Sequence, residues 1–173
     1  NSNILASRHQ ITDWEDAGQL IDTAVSNFGS LDGVVHVAGI LQDRMIFNMT
    51  EEEWDSVIKV HLTAYFNLAK HASVIMRKQN FGRLIGFTSS SGLTGNAGQA
   101  NYSAAKAGIA GMTRCLAIDL GRNGITANAI APTAMTRMTE SVPQQIQEGK
   151  FDEDQKAQRM NLDPAQIAPL TAY

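Results

Sequence analysis

The sequence predicts an α/β domain, because short apolar segments typical of strands alternate with longer segments of helical periodicity. The chain has 173 residues, which is the size of about one domain. Hydrophobic residues make up 43% of the chain and charged residues 18%, a composition that can bury a core. We therefore expect residues 1–173 to belong to a single domain.

Charge, cysteine content and hydropathy exclude several classes of partner. Lys and Arg total 14 against 17 Asp and Glu, so no basic surface for nucleic acid is expected. The single cysteine, Cys115, has no partner for an internal disulfide, and no apolar segment reaches the roughly 20 residues that span a bilayer. We also find no secretory signal. These features favour a cytoplasmic protein without nucleic-acid or membrane partners.

The first elements are predicted in the order strand, helix, strand. Residues 3–11 are a candidate strand. Thr12 and Asp13 form a helix-start signal, Gly29 ends the helix, and between them lie apolar residues at helical spacing, namely Ala17, Leu20, Ile21, Ala24 and Val25. The apolar segment 33–39 lacks alternation, which is typical of a central parallel strand buried on both faces.

A long helix is predicted over residues 50–79. Thr50 and Glu53 have the types and spacing of a capping box, in which each side chain satisfies a backbone N–H at the helix start. Apolar residues then recur at helical spacing, and His61 falls on this apolar stripe. Gln79 and Asn80 end the helix before the next strand.

A strand, a loop and a second long helix follow. Residues 83–88 predict the strand, and the small residues of 89–98 predict a loop that lets a substrate approach the backbone. Residues 101–120 are rich in Ala, Leu, Ile and Met and predict a helix that ends at Gly121 and Gly124.

The last part of the chain contains one more predicted strand. Residues 125–130 form it, and Pro132 stops it. The polar segment 136–160 is expected to be a mobile surface helix pair or lid. Asp163 and Pro164 are an N-cap residue and a first helical residue, so a final helix is predicted there.

The strongest chemical feature is Tyr102 four residues before Lys106, with Ser89 at the end of the preceding strand. Positions i and i+4 share a helix face, so we expect the Lys106 ammonium beside the phenol, where a cation lowers the tyrosine pKa toward the range of a general acid or base. Ser89 would hold the same substrate oxygen by a hydrogen bond. Alone, the Tyr-x-x-x-Lys spacing is common and more often belongs to ordinary helix residues.

Four segments in order resemble motifs of the short-chain dehydrogenase/reductase family: His36-Val37-Ala38-Gly39, Ser89, residues 98–108 and residues 128–132. Nearly the whole chain can be laid on the later two-thirds of that family's fold. The resemblance implies a Rossmann-like doubly wound parallel sheet that is incomplete, because the first βαβ unit with its glycine-rich phosphate loop and the last strand have no counterpart here. Residues 1–173 would then be one partial dinucleotide-binding and catalytic domain.

The resemblance implies a role for each matching residue. Tyr102 would be the acid/base, Ser89 would position the carbonyl, and Lys106 would adjust the tyrosine pKa and bind the nicotinamide ribose. His61 stands where the family usually has Asn and would support a proton-relay water, although a histidine on an apolar stripe is more often a hydrogen-bonded core residue. The implied cofactor contacts are Gln10, Ile11, Val37, Ala38, Gly39, Tyr102, Lys106, Pro132, Thr133 and Thr136.

The implied activity is interconversion of a ketone and a secondary alcohol with NAD or NADP. The substrate would be a 3-oxoacyl or 3-hydroxyacyl thioester or a similar apolar molecule, since Val60-His61-Leu62 is similar to the hydroxyacyl-CoA dehydrogenase part of peroxisomal multifunctional enzymes.

The four histidines have no metal-ligand spacing, so no metal site is predicted. The family implies a homodimer or homotetramer through its long helices. The alternative is a non-catalytic oligomerising remnant or fragment of such an enzyme.

Overall fold

A parallel sheet organises the computed structural model, which describes residues 4–132 and 164–172. Its strands are β1 (Gly33–His36), β2 (Gly82–Phe87) and β3 (Ile125–Ile130), paired in the order β1-β2-β3. In its register Val34 of β1 lies opposite Leu84 of β2, and Leu84 lies opposite Ala127 of β3. Three-residue 3₁₀ turns lie at Ile46–Asn48 and Gly121–Asn123. The main elements in chain order are α1 (Trp14–Phe28), β1 (Gly33–His36), α2 (Glu51–Ile58), α3 (Ala64–Gln79), β2 (Gly82–Phe87), α4 (Ser90–Thr94), α5 (Ala100–Leu120), β3 (Ile125–Ile130) and α6 (Ala168–Ala172). The predicted α/β class with a parallel sheet is confirmed.

Helix α1 begins and ends as the sequence predicts. The Asp13 side chain accepts a hydrogen bond from the Asp16 backbone N–H at 3.0 Å, and Gly29 closes the helix with a φ of 84°. Ala17 and Ile21 lie on its buried face. This face packs against α3 and joins the apolar core beside the sheet.

The long helix predicted over residues 50–79 has its capping box but is interrupted. The Thr50 hydroxyl accepts from the Glu53 backbone N–H at 3.2 Å, and the Glu53 carboxylate accepts from the Thr50 backbone N–H at 3.0 Å. Between α2 and α3 the chain forms a π-helical turn, Lys59–Thr63, which contains the buried His61. Such turns are frequent at functional sites, because they re-aim a side chain without ending the helix.

The core lies between the sheet and the helices packed on it. Leu84 and Ile125 are its sheet residues of lowest exposure, and Met76 of α3 and Ile109 of α5 are fully buried. Gly86 of β2 leaves room for the helices, since a Cβ there would come within 3 Å of side chains of both α3 and α5. The two long helices that flank the site are thereby held close to the strand that precedes Ser89.

Residues 4–11 form no strand, so the first strand prediction is wrong. At the end of this segment, the backbone groups of Gln10 and Ile11 bind side chains of helices instead of a sheet ladder. The Gln10 N–H donates to the Asp16 carboxylate at 3.0 Å, and the Ile11 carbonyl accepts from the Asn67 amide of α3 at 3.1 Å. Ile4 and Leu5 are exposed, so the apolar residues at the start of this segment do not belong to a buried strand.

Strand β1 is shorter and more exposed than predicted. It ends at His36 and, within residues 4–132 and 164–172, pairs with β2 alone, so it is an edge strand. Its side chains alternate between buried and exposed, and Val35 is 46% exposed. The expectation of a central strand buried on both faces over 33–39 is therefore wrong for the described sheet, because an apolar sequence does not specify what covers it.

Beyond β2 the structure departs from the predictions at one place. Residues 89–98, predicted as a loop, contain the short helix α4, which Ser89 caps by accepting a hydrogen bond from the Ser91 N–H at 3.2 Å. The predictions for α5 and β3 are confirmed. A 3₁₀ turn, Pro164–Ile167, leads into α6 where a last helix was predicted.

Two further expectations concern residues outside the described ranges. The lid predicted over 136–160 lies entirely outside them, as does the predicted N-cap Asp163.

Among the helices that are described, none combines the length and the apolar character needed to cross a membrane.

Candidate active site

Several of the predicted site residues lie at the carboxyl edge of the sheet. Residues 37–39 follow β1, Ser89 follows β2 and Pro132 follows β3. The three strands are parallel, so the segments that follow them lie at one edge. Helix α5 begins beside this edge and supplies Tyr102 and Lys106 from its first two turns.

Ser89 and Tyr102 face each other across this edge. The Ser89 hydroxyl is close enough to the phenol to lower the pKa of Tyr102 by hydrogen bonding. The first turn of α5 is anchored by Asn101, whose side-chain oxygen accepts from the Tyr102 N–H at 2.7 Å. The Asn101 amide donates to the carbonyls of Gln42 and Glu53 at 3.0 and 2.9 Å. This buried amide fixes the position of Tyr102 and was not singled out from the sequence.

Lys106 is buried, with its ammonium group pointing toward the end of β2. Its Nζ donates a hydrogen bond of 2.6 Å to the Phe87 carbonyl and lies 5.5 Å from the centroid of the Tyr102 ring. Thr88 holds the same helical turn by donating to the Lys106 carbonyl at 2.8 Å. Burial lowers the pKa of Lys106 to about 8, so the group is still charged at neutral pH.

The pKa of Tyr102 is raised, which corrects the expectation that Lys106 lowers it. Burial of the phenol is the largest cause, the Ser89 hydroxyl acts against it, and the negative charge of Asp43 adds to it. The Lys106 ammonium donates to the Phe87 carbonyl, and its charge is not among the causes that set the Tyr102 pKa. Tyr102 is therefore a protonated phenol at neutral pH, which is the form that can donate a proton.

His61 connects the site to the loop after β1. Its Nε2 lies 3.1 Å from the Ile40 nitrogen and 2.8 Å from the Ile40 oxygen, so the ring is held by one residue of that loop. The ring also meets the Tyr102 ring edge-on, with centroids 5.2 Å apart. Gly39 packs directly on this imidazole, and a Cβ at Gly39 would overlap it. His61 thus has the contacts of a core residue and a place in the site as well.

His36 is a second buried imidazole at this edge, and the sequence indicated it only as a departure from a family motif. It is 2% exposed and stacks on Tyr65 with centroids 5.7 Å apart. Neither ring nitrogen has a hydrogen-bond partner among the described residues, although the Val60 carbonyl favours the charged ring. Burial and the charges of Lys106 and His61 lower the pKa of His36 to about 4.

The two imidazoles predict that the protein loses stability in mild acid. Burial, and then the Lys106 charge, lower the pKa of His61 to about 4 as well. Between pH 6.5 and about 4 the unfolded chain binds protons that the folded chain does not, so the unfolding free energy falls as the pH falls. The loss is up to about 3 kcal/mol for each imidazole.

Chemical unfolding at several pH values measures this loss. The double variant His36→Asn, His61→Asn removes both titrating groups and should show a much flatter pH dependence of the unfolding free energy over that window. Equal slopes in the parent and the double variant would contradict the assignment of the acid sensitivity to these rings.

The predicted cofactor contacts are distributed unevenly. Val37 and Ala38 are exposed directly after β1, and Pro132 is half-buried directly after β3. Gln10 and Ile11 are tied to α1 and α3 by the hydrogen bonds given above. Thr133 and Thr136 lie outside the described residues.

The donor set at this edge fits the nicotinamide ribose half of a dinucleotide. The Tyr102 phenol and the Lys106 ammonium are hydrogen-bond donors suited to ribose hydroxyls, whereas the space beside the Gly39 Cα is filled by the His61 ring. Within residues 4–132 and 164–172, no group of three or more His, Cys, Asp or Glu side chains has the arrangement of a metal site.

Comparison with known proteins gives consistent matches. The sequence model of a family described as enoyl-(acyl carrier protein) reductase matches residues 2–173. The peroxisomal multifunctional enzyme type 2 of Mus musculus is 43% identical over 163 residues, which are 93% of this chain and 20% of that protein. The 3-oxoacyl-[acyl-carrier-protein] reductase of Synechocystis sp. is 42% identical over 139 residues, which are 80% of this chain and 56% of that protein.

A solved structure agrees with these matches. The crystal structure of a short chain dehydrogenase from Mycobacterium avium is 50% identical and superposes with a TM-score of 0.74. The alignment covers 80% of this chain and 50% of that one. The chain thus spans between a fifth and little more than half of the length of these similar proteins.

Proposed function

This chain belongs to the short-chain dehydrogenase/reductase family, and from that premise we propose that it interconverts a ketone and a secondary alcohol with NAD or NADP. The convergence of Ser89, Tyr102 and Lys106 at the carboxyl edge of the sheet supports the proposal most strongly. A protonated phenol, a facing hydroxyl and a buried ammonium are the groups that carbonyl reduction needs.

Each of these residues has one task in the proposed reaction. The Ser89 hydroxyl donates a hydrogen bond to the carbonyl oxygen and holds it against the phenol. As the carbonyl is reduced, the O–H bond of Tyr102 breaks and the O–H bond of the alcohol forms. The Lys106 ammonium then stabilises the phenolate that remains. When bound, the nicotinamide supplies the hydride to the carbonyl carbon or accepts it in the reverse direction.

His61 contributes through the loop after β1 and through its free nitrogen. Its hydrogen bonds to Ile40 fix residues 37–40, where we propose that the dinucleotide contacts Val37, Ala38 and Gly39. Its Nδ1 is buried and has no partner in the described structure, so it is available to a proton-relay water. Gln10, Ile11, Pro132, Thr133 and Thr136 complete the proposed contacts.

The proposed substrate is a 3-oxoacyl or 3-hydroxyacyl thioester. This class is supported by the match to the Synechocystis 3-oxoacyl-[acyl-carrier-protein] reductase. A direct test is to mix the longest form of the protein that carries this sequence with acetoacetyl-CoA and either NADH or NADPH. Loss of the reduced-nicotinamide absorbance that depends on the thioester supports the proposal, and no turnover with either nucleotide contradicts it.

A non-catalytic role in self-association is the alternative. The observation that favours it is the exposure of large apolar side chains on the long helices, namely Trp54 of α2, Phe66 of α3 and Ile118 of α5. The proposed enzyme would also use these helices to form a homodimer or homotetramer. Measurement of the mass in solution tests the alternative, which a strict monomer would exclude.

The cytoplasmic location of the protein stays a prediction.

A further inference from the structure

Three consecutive residues at the end of β2 contact the two reactive residues of α5. The Phe87 carbonyl accepts a hydrogen bond from the Lys106 ammonium at 2.6 Å, and the Thr88 hydroxyl donates to the Lys106 carbonyl at 2.8 Å. The Ser89 hydroxyl is within hydrogen-bonding reach of the Tyr102 phenol. The position of this short segment against α5 therefore sets the distances among the three groups of the proposed reaction.

Thr88 is the residue of this segment that fixes it to both the sheet and the helix. Its side chain is buried, and its backbone N–H donates to the Ile130 carbonyl of β3 at 2.9 Å. Its hydroxyl is bound to the Lys106 carbonyl inside α5. One residue thus joins the ends of two strands to the helical turn that carries Lys106.

The short helix α4 packs on the same turn of α5. Gly92 of α4 lies against it so closely that a Cβ at Gly92 would be 2.7 Å from Lys106 Cβ and 2.8 Å from the Ala107 nitrogen. Helix α4 begins directly after Ser89, which caps it. The turn of Lys106 is therefore contacted by residues that precede Ser89 and by a residue that follows it.

The backbone pairing of α5 does not need the bond from Thr88. In a regular α-helix the Lys106 carbonyl accepts from the N–H of Ala110, four residues later, and both residues lie well inside α5. The Thr88 hydroxyl is a second donor to the same carbonyl. Its bond therefore fixes the place of this turn against β2, whereas the turn itself is formed without it.

We propose that Thr88 is a positioning residue, whose hydroxyl holds the helical turn of Lys106 against the end of β2 and so keeps the ammonium and the phenol aligned with Ser89. The inference rests on the proposed function, because the alignment affects a rate only if these groups carry the reaction. Thr88 would act through its neighbours, since its hydroxyl is bound to the helix backbone. Misplacement of reactive groups by a fraction of an ångström is enough to slow a reaction.

The variant Thr88→Val tests this inference, because valine has the shape of threonine without the hydroxyl. We expect kcat for the reduction of acetoacetyl-CoA to fall about 10-fold, with the KM of the thioester within about two-fold of the parent, since alignment is lost and substrate contacts are kept. Steady-state rates with saturating reduced nicotinamide measure both constants. A kcat within two-fold of an active parent would overturn the proposal.

Thr88→Ser and Thr113→Val separate the hydrogen bond from general effects of packing. Thr88→Ser keeps the hydroxyl and should restore kcat to within about two-fold of the parent. Thr113→Val removes another buried hydroxyl of α5, which lies 3.3 Å from the Tyr65 phenol, and should leave kcat unchanged. The proposal is wrong if the serine variant is as slow as Thr88→Val, or if Thr113→Val is equally slow. If Thr88→Val does not fold, Thr88→Ala also removes the hydroxyl and should lower kcat in the same way.

The place of Lys106 can be followed without turnover by titrating its ammonium with nuclear magnetic resonance of isotope-labelled lysine side chains. The Lys106→Met variant identifies the resonance. Burial lowers the pKa of Lys106 to about 8 in the parent. In Thr88→Val we expect this pKa to rise by about half a unit or more, because the released turn lets water reach the ammonium. An unchanged or lower pKa would overturn the proposal.

The two measurements make this inference and the proposed function fail separately. A raised Lys106 pKa in Thr88→Val, together with a parent that reduces no thioester, would support the holding of the turn and contradict the proposed reaction. An active parent whose kcat and Lys106 pKa are both unchanged by Thr88→Val would support the reaction and contradict the role of Thr88.

Discussion

Replacement of Tyr102 by Phe is expected to lower kcat/KM for the reduction of a 3-oxoacyl thioester by about 10²–10⁴-fold, the usual contribution of a positioned general acid. The substitution removes the proton donor but keeps the ring that contacts His61 edge-on and lies beside Lys106. The site should therefore stay folded while the proton transfer is lost. Steady-state rates with saturating reduced nicotinamide measure the effect.

Tyr65→Phe is the matched control for this substitution. The Tyr65 phenol is buried and lies 3.3 Å from the Thr113 hydroxyl, within the core and without contact with Ser89 or Lys106 in the described hydrogen bonds. Its removal should cost about 1 kcal/mol of stability and leave the rate within a few-fold of the parent. Parent-like rates in Tyr102→Phe would remove Tyr102 from its proposed role.

Replacement of Lys106 by Met should lower kcat/KM by about 10²–10³-fold, because the transition state loses a fixed positive charge that stabilises the phenolate. The methionine side chain fills most of the buried space of the lysine stem, which limits the change in packing. Lys70→Met is the control, since Lys70 is exposed on α3, and its rate should match that of the parent.

The effect of Lys106→Met can also be measured without catalytic turnover. The Lys106 charge contributes to the lowered pKa of both His36 and His61, so its removal should raise both pKa values. Titration of the imidazole resonances by nuclear magnetic resonance measures this rise. If both pKa values are the same in Lys106→Met and in the parent, the ammonium does not share a site with these rings.

The features that the sequence predicted correctly depend on local hydrogen bonds. The caps at Asp13 and Gly29 and the capping box of Thr50 with Glu53 each join residues within one helical turn. Residue type and spacing therefore suffice to locate the helix ends. The convergence of Ser89 with Tyr102 followed from the parallel arrangement of the strands, which the alternation of elements already indicated.

The features that the sequence did not predict depend on contacts between distant residues. The spacing of Tyr102 and Lys106 gives their proximity, but burial of the phenol decides that the pKa of Tyr102 is raised. The π-helical turn that contains His61 interrupts an otherwise regular helical pattern. The Asp43 carboxylate accepts a hydrogen bond from Gln99, the N-cap residue of α5, which is 56 positions away in the chain.

The most direct measurement is a crystal structure of the longest form of the protein with an oxidised nicotinamide cofactor and a 3-hydroxyacyl thioester. We expect one substrate oxygen to lie within hydrogen-bond distance, about 2.5–3.0 Å, of both the Ser89 hydroxyl and the Tyr102 phenol, with the Lys106 ammonium beside the cofactor ribose. If the substrate oxygen is bound elsewhere, or if the three side chains face different cavities, the proposed reaction at this site is wrong.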